Sequence, residues 1–351
     1  MGAREELAVE NMGRQLAVVD SLAPGPGAPA AQACLGWMAM RRQASTYLRH
    51  VQPQVEVAKR RPDRALAGIF DYQRDLQGRQ EQARTEIEAS GPDLQARARA
   101  GLGIRLAVIG KGGAGKTFVS SVVARTLASM GRRVLAVDLD TCPGLALSMG
   151  VPQEAAGLPL EAVMEHPGAP FYGWQLSSSV TPAGAVERFA TTGPDGVAFL
   201  GLDKIGSEDK AATKRSVAAL IQILLGFGLP GWDVVADLEA GPTTPFERYH
   251  SFSDEVAVVV GPAWRSAMTA RRLLPMAAPR PAMIVANRWG DHPDHPGLTP
   301  ALRIPADPEV VEAERRGLAP FDACPDAPAV AALRQWAGQL VNRSLIEEVV
   351  A

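Results

Sequence analysis

Two lysines and a run of glycines between residues 110 and 117 hold the most specific chemistry in this 351-residue chain. Gly110-Lys111-Gly112-Gly113-Ala114-Gly115-Lys116-Thr117 fits the pattern G-x-x-x-x-G-K-[ST]. The stretch 104–109 before it is mostly apolar and of strand length, and Phe118–Met130 after it reads as a helix. In that order, glycines let successive backbone N–H groups turn inward around phosphate oxygens, and the helix N-terminus adds its positive dipole end. Lys116 supplies a point charge to β- and γ-phosphates, and the Thr117 hydroxyl can ligate Mg²⁺. The loop, with Phe118 at the helix start, is expected to hold a nucleotide.

The second lysine narrows the reading. Lys111 inside the loop gives K-G-G-x-G-K-T, where the common form has a single lysine. Here the chain resembles the deviant Walker A ATPases, the group of MinD, ParA, the nitrogenase iron protein, ArsA and the maturation ATPase CooC. In that family the early lysine reaches across a dimer interface to the partner's nucleotide. The resemblance implies a homodimer sandwiching ATP, with Lys111, Lys116 and Asp140 as catalytic residues and ATP and Mg²⁺ as cofactors.

Further segments carry the resemblance. Val134–Gly150 ends a strand in Asp138-Leu139-Asp140, where the family has its first switch. That match makes Asp140 the residue that orients the attacking water and Asp138 a support for Mg²⁺; Thr141-Cys142-Pro143 departs from the usual sequel. Val234–Asp237 is an apolar strand ending in acid, the arrangement in which a carboxylate holds Mg²⁺. Asp237-Leu238-Glu239-Ala240-Gly241 resembles the D-x-E-A-G of the CooC branch, with Gly241 placed to sense the γ-phosphate. Asn287-Arg288 follows a strand at 283–286, where family members bind adenine, and an amide both donates to and accepts from a purine edge. Pro305 and Asp307 belong to a segment, 303–310, that in the family packs against the base. Asp291–His295 reads as a polar loop rather than a metal site.

The elements that must position these residues follow from pattern. From residue 101 strands alternate with helices, which argues a parallel sheet covered on both faces. The expected fold is α/β, a parallel doubly wound sheet of P-loop NTPase type with an α-helical N-terminal extension. Residues 1–100 form that extension and 101–351 the ATPase domain. Helices are expected at 5–20, 30–51 and 65–89, the last solvent-exposed, with a proline- and glycine-rich linker at 21–29.

Composition sets the outer limits. Hydrophobic residues make up 46% of the chain, ample for a core, and the net charge of −2 gives no whole-chain argument for nucleic acid or membrane. Three scattered cysteines signal neither a disulfide framework nor a metal site. The charged start is unlike a signal peptide, so a cytoplasmic location is expected. The extension reads as a surface for partner docking or dimer support, with DNA binding or a tail as the alternatives. The expected function is a slow, Mg-dependent ATPase whose dimerisation drives maturation of a client protein, docked through 1–100 and 151–210. The alternative is ParA/MinD-like positioning on DNA, a membrane or a cargo. A C-terminal membrane helix is disfavoured by Glu347 and Glu348.

Overall fold

A computed structural model describes residues 3–60, 68–140, 144–152, 158, 160–165, 173–202, 210–239, 249–278 and 281–344. Four helices come first: α1 (Ala3–Asp20), α2 (Ala30–Arg60), α3 (Ile69–Ser90) and α4 (Pro92–Ala100). Then follow β1 (Arg105–Gly110), α5 (Lys116–Ser129), β2 (Arg133–Leu139), α6 (Leu145–Met149), β3 (Val163–Glu165), β4 (Trp174–Leu176) and α7 (Pro182–Phe189). The middle of the chain adds β5 (Thr191–Thr192), β6 (Ala198–Leu200), α8 (Lys210–Gly226), β7 (Trp232–Leu238), β8 (Glu255–Val260) and α9 (Trp264–Ala277). The last part holds β9 (Ala282–Ala286), β10 (Leu302–Arg303), α10 (Pro308–Arg315), α11 (Pro320–Ala323) and α12 (Pro328–Ser344).

The chain divides into two compact units, one of residues 1–103, 159–188 and 210–231, the other of 104–158, 189–209 and 232–351. A single cut at residue 100 therefore does not describe it: two later stretches carrying β3, β4 and α8 join the N-terminal helices. The reason is visible in their hydrogen bonds. The fully buried Gln43 of α2 donates to the Leu225 carbonyl at 2.5 Å, and Gln222 of α8 accepts from the Leu176 N–H at 3.0 Å.

In this first unit α2 and α3 pack together along apolar stripes. Ile69, Tyr72, Leu76, Ala83 and Ile87 of α3 are buried at three- and four-residue spacing, while Phe70 and the charged positions face out. The helix expected to be solvent-exposed is thus half core. Helix α2 runs beyond the expected end at Val51 through Pro53, because Val55 and Ala58 continue its buried face. That packing offsets a proline in a helix interior.

The second unit holds an eight-stranded sheet in the order β10-β9-β8-β1-β7-β2-β6-β5. All neighbours are parallel except β5, which pairs antiparallel with β6. The fully buried run Arg105–Gly110 and the Val- and Ala-rich β7 and β8 are what strands covered on both faces require. Strand β1 lies between β7 and β8, so the chain order reverses beside it, and open parallel sheets bind ligands at such a switch point. Phe118, Val122 and Leu127 of α5 join Leu333, Trp336 and Leu340 of α12 in the core of this unit.

Candidate functional site

The glycine loop leaves β1 and enters α5 with no residue to spare. Gly110 closes against the neighbouring strand: a Cβ there would stand 2.6 Å from the Val259 carbonyl oxygen. The Ala114 N–H donates to the Lys111 carbonyl at 3.0 Å, turning the loop back. Gly115, the residue before α5, has φ +95°, and a Cβ on it would lie 2.0 Å from Asn287 Nδ2. Only glycine meets both demands. Asn287 Nδ2 in turn donates to the Ala114 carbonyl at 2.9 Å, so the end of β9 is tied to the loop.

Acids from two adjacent strands converge on this loop. Asp138 of β2 and Asp237 of β7 are paired in register. The Thr117 hydroxyl donates to Asp237 Oδ2 at 2.6 Å, and the buried Lys116 ammonium lies 3.5 Å from Asp140 Oδ2. Burial, helped by the charge of Asp138, pushes the Asp237 carboxyl up to about 7 against the pull of the Thr117 hydroxyl and Lys116. Its Oδ1 atom is buried without a hydrogen-bond partner. A hydroxyl and a carboxylate with an unused buried oxygen are hard donors that suit Mg²⁺, an ion that fills its remaining positions with water and phosphate oxygens.

Asp138, expected to support the metal, accepts three backbone N–H groups. Its Oδ1 accepts the Asp140 N–H at 3.0 Å, and its Oδ2 accepts those of Gly144 and Leu145 at 3.0 and 2.9 Å. Burial raises its carboxyl above the usual range, with these three donors opposing. The geometry makes Asp138 a strut that holds the ends of the loop carrying Asp140 to the start of α6. Thr141, Cys142 and Pro143, the departing residues of that loop, lie outside the described residues, as does Gly241.

Gly115, Phe118, Asn287, Arg288, Pro305 and Asp307 line one narrow cavity of about 60 Å³ beside the loop. Sequence reasoning named all six for the nucleotide and missed Val310, Val311 and Glu314, which complete the wall from α10. Their spacing along one face of that short helix was the available signal. Arg288 adopts φ +56°, rare for a side-chain-bearing residue, and its guanidinium donates to the Gly113 carbonyl. Asp307 caps α10, accepting the Glu309 N–H at 3.0 Å, and also accepts that of Ala329 at 3.2 Å. Its carboxylate thus shapes the cavity as a helix cap. Lys111 donates to its neighbouring Gly112 carbonyl at 3.3 Å.

A second arginine was not singled out from sequence. Arg125 of α5, 3% exposed, holds Asp195 at 2.9 Å, both oxygens of Asp322 at 2.8 Å and the Met149 carbonyl at 2.7 Å. It fixes the C-terminal end of α6 to the helix that starts at Lys116. Among the described residues no group of three or more His, Cys, Asp or Glu side chains is arranged to hold a metal, and the 291–295 loop instead sets His295 edge-on to Trp289 and Trp264. No helix among the described residues is long and apolar enough to cross a membrane.

Comparison with known proteins agrees with this geometry. Residues 106–321 match the family model described as the CobQ/CobB/MinD/ParA nucleotide binding domain. Fifty-five residues are 44% identical to an uncharacterized ATP-binding protein of Methanocaldococcus jannaschii, over 16% of this chain and 21% of that protein. Fifty-one residues are 45% identical to the carbon monoxide dehydrogenase accessory protein CooC of Rhodospirillum rubrum, over 14% and 19% respectively. The matched stretch thus spans about a fifth of each curated relative. Among solved structures, the septum site-determining protein MinD of Pyrococcus horikoshii, complexed with Mg-ADP, is similar at a TM-score of 0.50 and 21% identity, over 68% of this chain and 96% of that one. A ParA family ATPase from Chlorobium tepidum is similar at 0.50 and 16%, over 67% and 98%. At such identities the likeness is one of fold.

Proposed function

The chain belongs to the CobQ/CobB/MinD/ParA nucleotide-binding family, and from that premise we propose that it is an ATP-driven dimerisation switch acting on a client protein. The observation that carries this reading is the convergence of Lys116, Thr117, Asp140 and Asp237 at the C-terminal ends of adjacent parallel strands, beside a glycine loop. The loop N–H groups and the start of α5 receive the phosphates, with Lys116 at their charge. Asn287 keeps its amide donor on Ala114, which leaves its carbonyl oxygen to accept from a purine. Thr117 and Asp237 would hold Mg²⁺, which when bound neutralises charge developing on the phosphates.

Asp140 is the group that orients water. Its Oδ2 lies 3.5 Å from the Lys116 ammonium, and a phosphate that draws on the lysine leaves the carboxylate to the water. Lys111 serves the site of a second copy, so hydrolysis follows association. The client is a protein whose maturation or assembly uses the change of shape. The CooC similarity supports that choice, and the helical unit with parts of 151–210 supplies a docking surface.

The test is Asp140→Ala in the full chain. With ATP and Mg²⁺ it should turn over at least about a hundredfold more slowly and sediment as a lasting dimer, whereas the ADP form sediments as a monomer. Affinity capture of the trapped dimer and mass spectrometry then name the client. Unchanged turnover, or association indifferent to nucleotide, would sink the switch. Capture of DNA, membrane or a large cargo in place of a single assembly partner would move the reading to ParA/MinD-like positioning.

A further inference from the structure

The helical unit encloses a cavity of about 390 Å³ that the ATPase reading does not use. That volume falls in the ~300–1,000 Å³ range of small-molecule sites. Its walls come from α1, Tyr47 of α2, the turn from β4 into α7, and the C-terminal end of α8, all within one unit. Val18, Tyr47, Leu176, Val180 and Leu225 make much of the wall apolar.

Arg14 is the one charged side chain among the lining residues. It pairs with Glu10 at 2.5 Å on the same helix and reaches the Leu176 carbonyl only at 3.5 Å. The Glu10 pair is open to solvent, Glu10 being 55% exposed, and such pairs give up their cation readily. Two wall glycines, Gly226 and Gly228, are there for space. A Cβ on Gly226 would stand 2.5 Å from Pro182, and one on Gly228 2.8 Å from Leu22, yet neither has a left-handed φ. Pro182 and Leu22 thus pack directly on the glycine backbone at these points of the wall.

We propose that this cavity binds a small organic acid with an apolar body, its carboxylate on Arg14 and its body along Val18, Tyr47 and Leu225. A bare inorganic anion would leave the apolar wall unfilled, and a neutral hydrocarbon would forgo a charge-assisted contact with Arg14. The ligand is a second input to the protein, separate in its residues from the nucleotide site.

The probes are decanoate, its neutral analogue decanol, and the fluorescent arylsulfonate 1-anilinonaphthalene-8-sulfonate, added to the full chain. Decanoate should displace the dye saturably, decanol about tenfold more weakly or worse, and Arg14→Gln should cost decanoate about tenfold in affinity. Val18→Trp should fill the space and abolish binding, with nucleotide binding unchanged. Should that variant fail to fold, Ser178→Cys keeps the cavity open. Decanoate should then slow alkylation of the new thiol relative to the same variant without decanoate. No displacement or protection at about 1 mM decanoate, or equal binding by Arg14→Gln, overturns the proposal.

Discussion

The two units of this protein solve opposite problems with buried polar groups. In the sheet unit, Asp138, Lys116, Arg125 and Asp237 are all nearly inaccessible, and each has a named donor or acceptor. Asp237 alone keeps a buried oxygen without a partner. In the helical unit the buried residues are mostly apolar; of the buried polar ones, Arg42 and Gln43 bond to backbone carbonyls of Gly103, Leu102 and Leu225, while Gln175 Oε1 is buried without a hydrogen-bond partner. One region gathers charged groups beside a glycine loop; the other uses polar groups to fasten chain segments.

Mutations in the two regions should diverge accordingly. Lys116→Ala removes the phosphate-facing charge and should lower ATP turnover by at least about a hundredfold, measured as phosphate release, while the melting temperature moves little. Leu76→Ala in α3 should do the reverse. A fully buried leucine costs about 2–5 kcal/mol when truncated, visible in urea unfolding, with turnover per folded molecule unchanged. If Leu76→Ala abolished turnover in molecules that remain folded, the separation of roles would fail.

Gly115→Ala bridges the two behaviours, since it meets both a left-handed φ and Asn287. A cost of about 1–3 kcal/mol is expected, and adding Asn287→Ala should recover part of it by removing the collision. The double-variant cycle in thermal unfolding reads this directly.

The pH dependence gives a smaller effect. The Asp237 carboxyl is raised to about 7, so between its ordinary value and pH 7 the folded ligand-free chain binds more protons than the unfolded one. Stability from this group is therefore greatest at low pH and falls as pH rises toward 7. Mg²⁺ needs the ionised form, so Mg·ADP affinity measured by calorimetry should rise about fivefold from pH 6 to 7, with proton release. An affinity that stays flat would place the metal elsewhere. Smallest of all, Arg79→Ala breaks the partly exposed pair with Asp20 and should change stability by less than about 1 kcal/mol.

Much of the site was legible because phosphate binding restricts sequence severely. Lys116 and Thr117 must follow a glycine loop, and that loop must follow a strand, so their place in the fold was fixed by eight residues. Asn287, Arg288, Pro305 and Asp307 were located by resemblance alone, and the structure brings them to one cavity. What sequence did not disclose were links between distant segments. Nothing in the local pattern of Asp138 says that it binds the N–H groups of Gly144 and Leu145, and nothing near Arg125 points to Asp322. The helical unit was legible only as helices. Its assembly with β4 and α8 depends on Gln43 and Gln222, whose amides bond across long stretches of chain. Helix α3 looked exposed because a stripe of five apolar side chains is thin in a sequence dense with Gln, Arg and Glu.

The sheet ends on both sides in strands of two residues, Thr191–Thr192 and Leu302–Arg303. A long free edge is a template for adding foreign strands, and short edges are one way proteins avoid fibrous association. This sheet offers almost no rung to another chain. Its encounters must then be made through loops and helix faces, whose contacts come apart without unzipping a ladder. The reversible association proposed above would be spared a meeting that never ends.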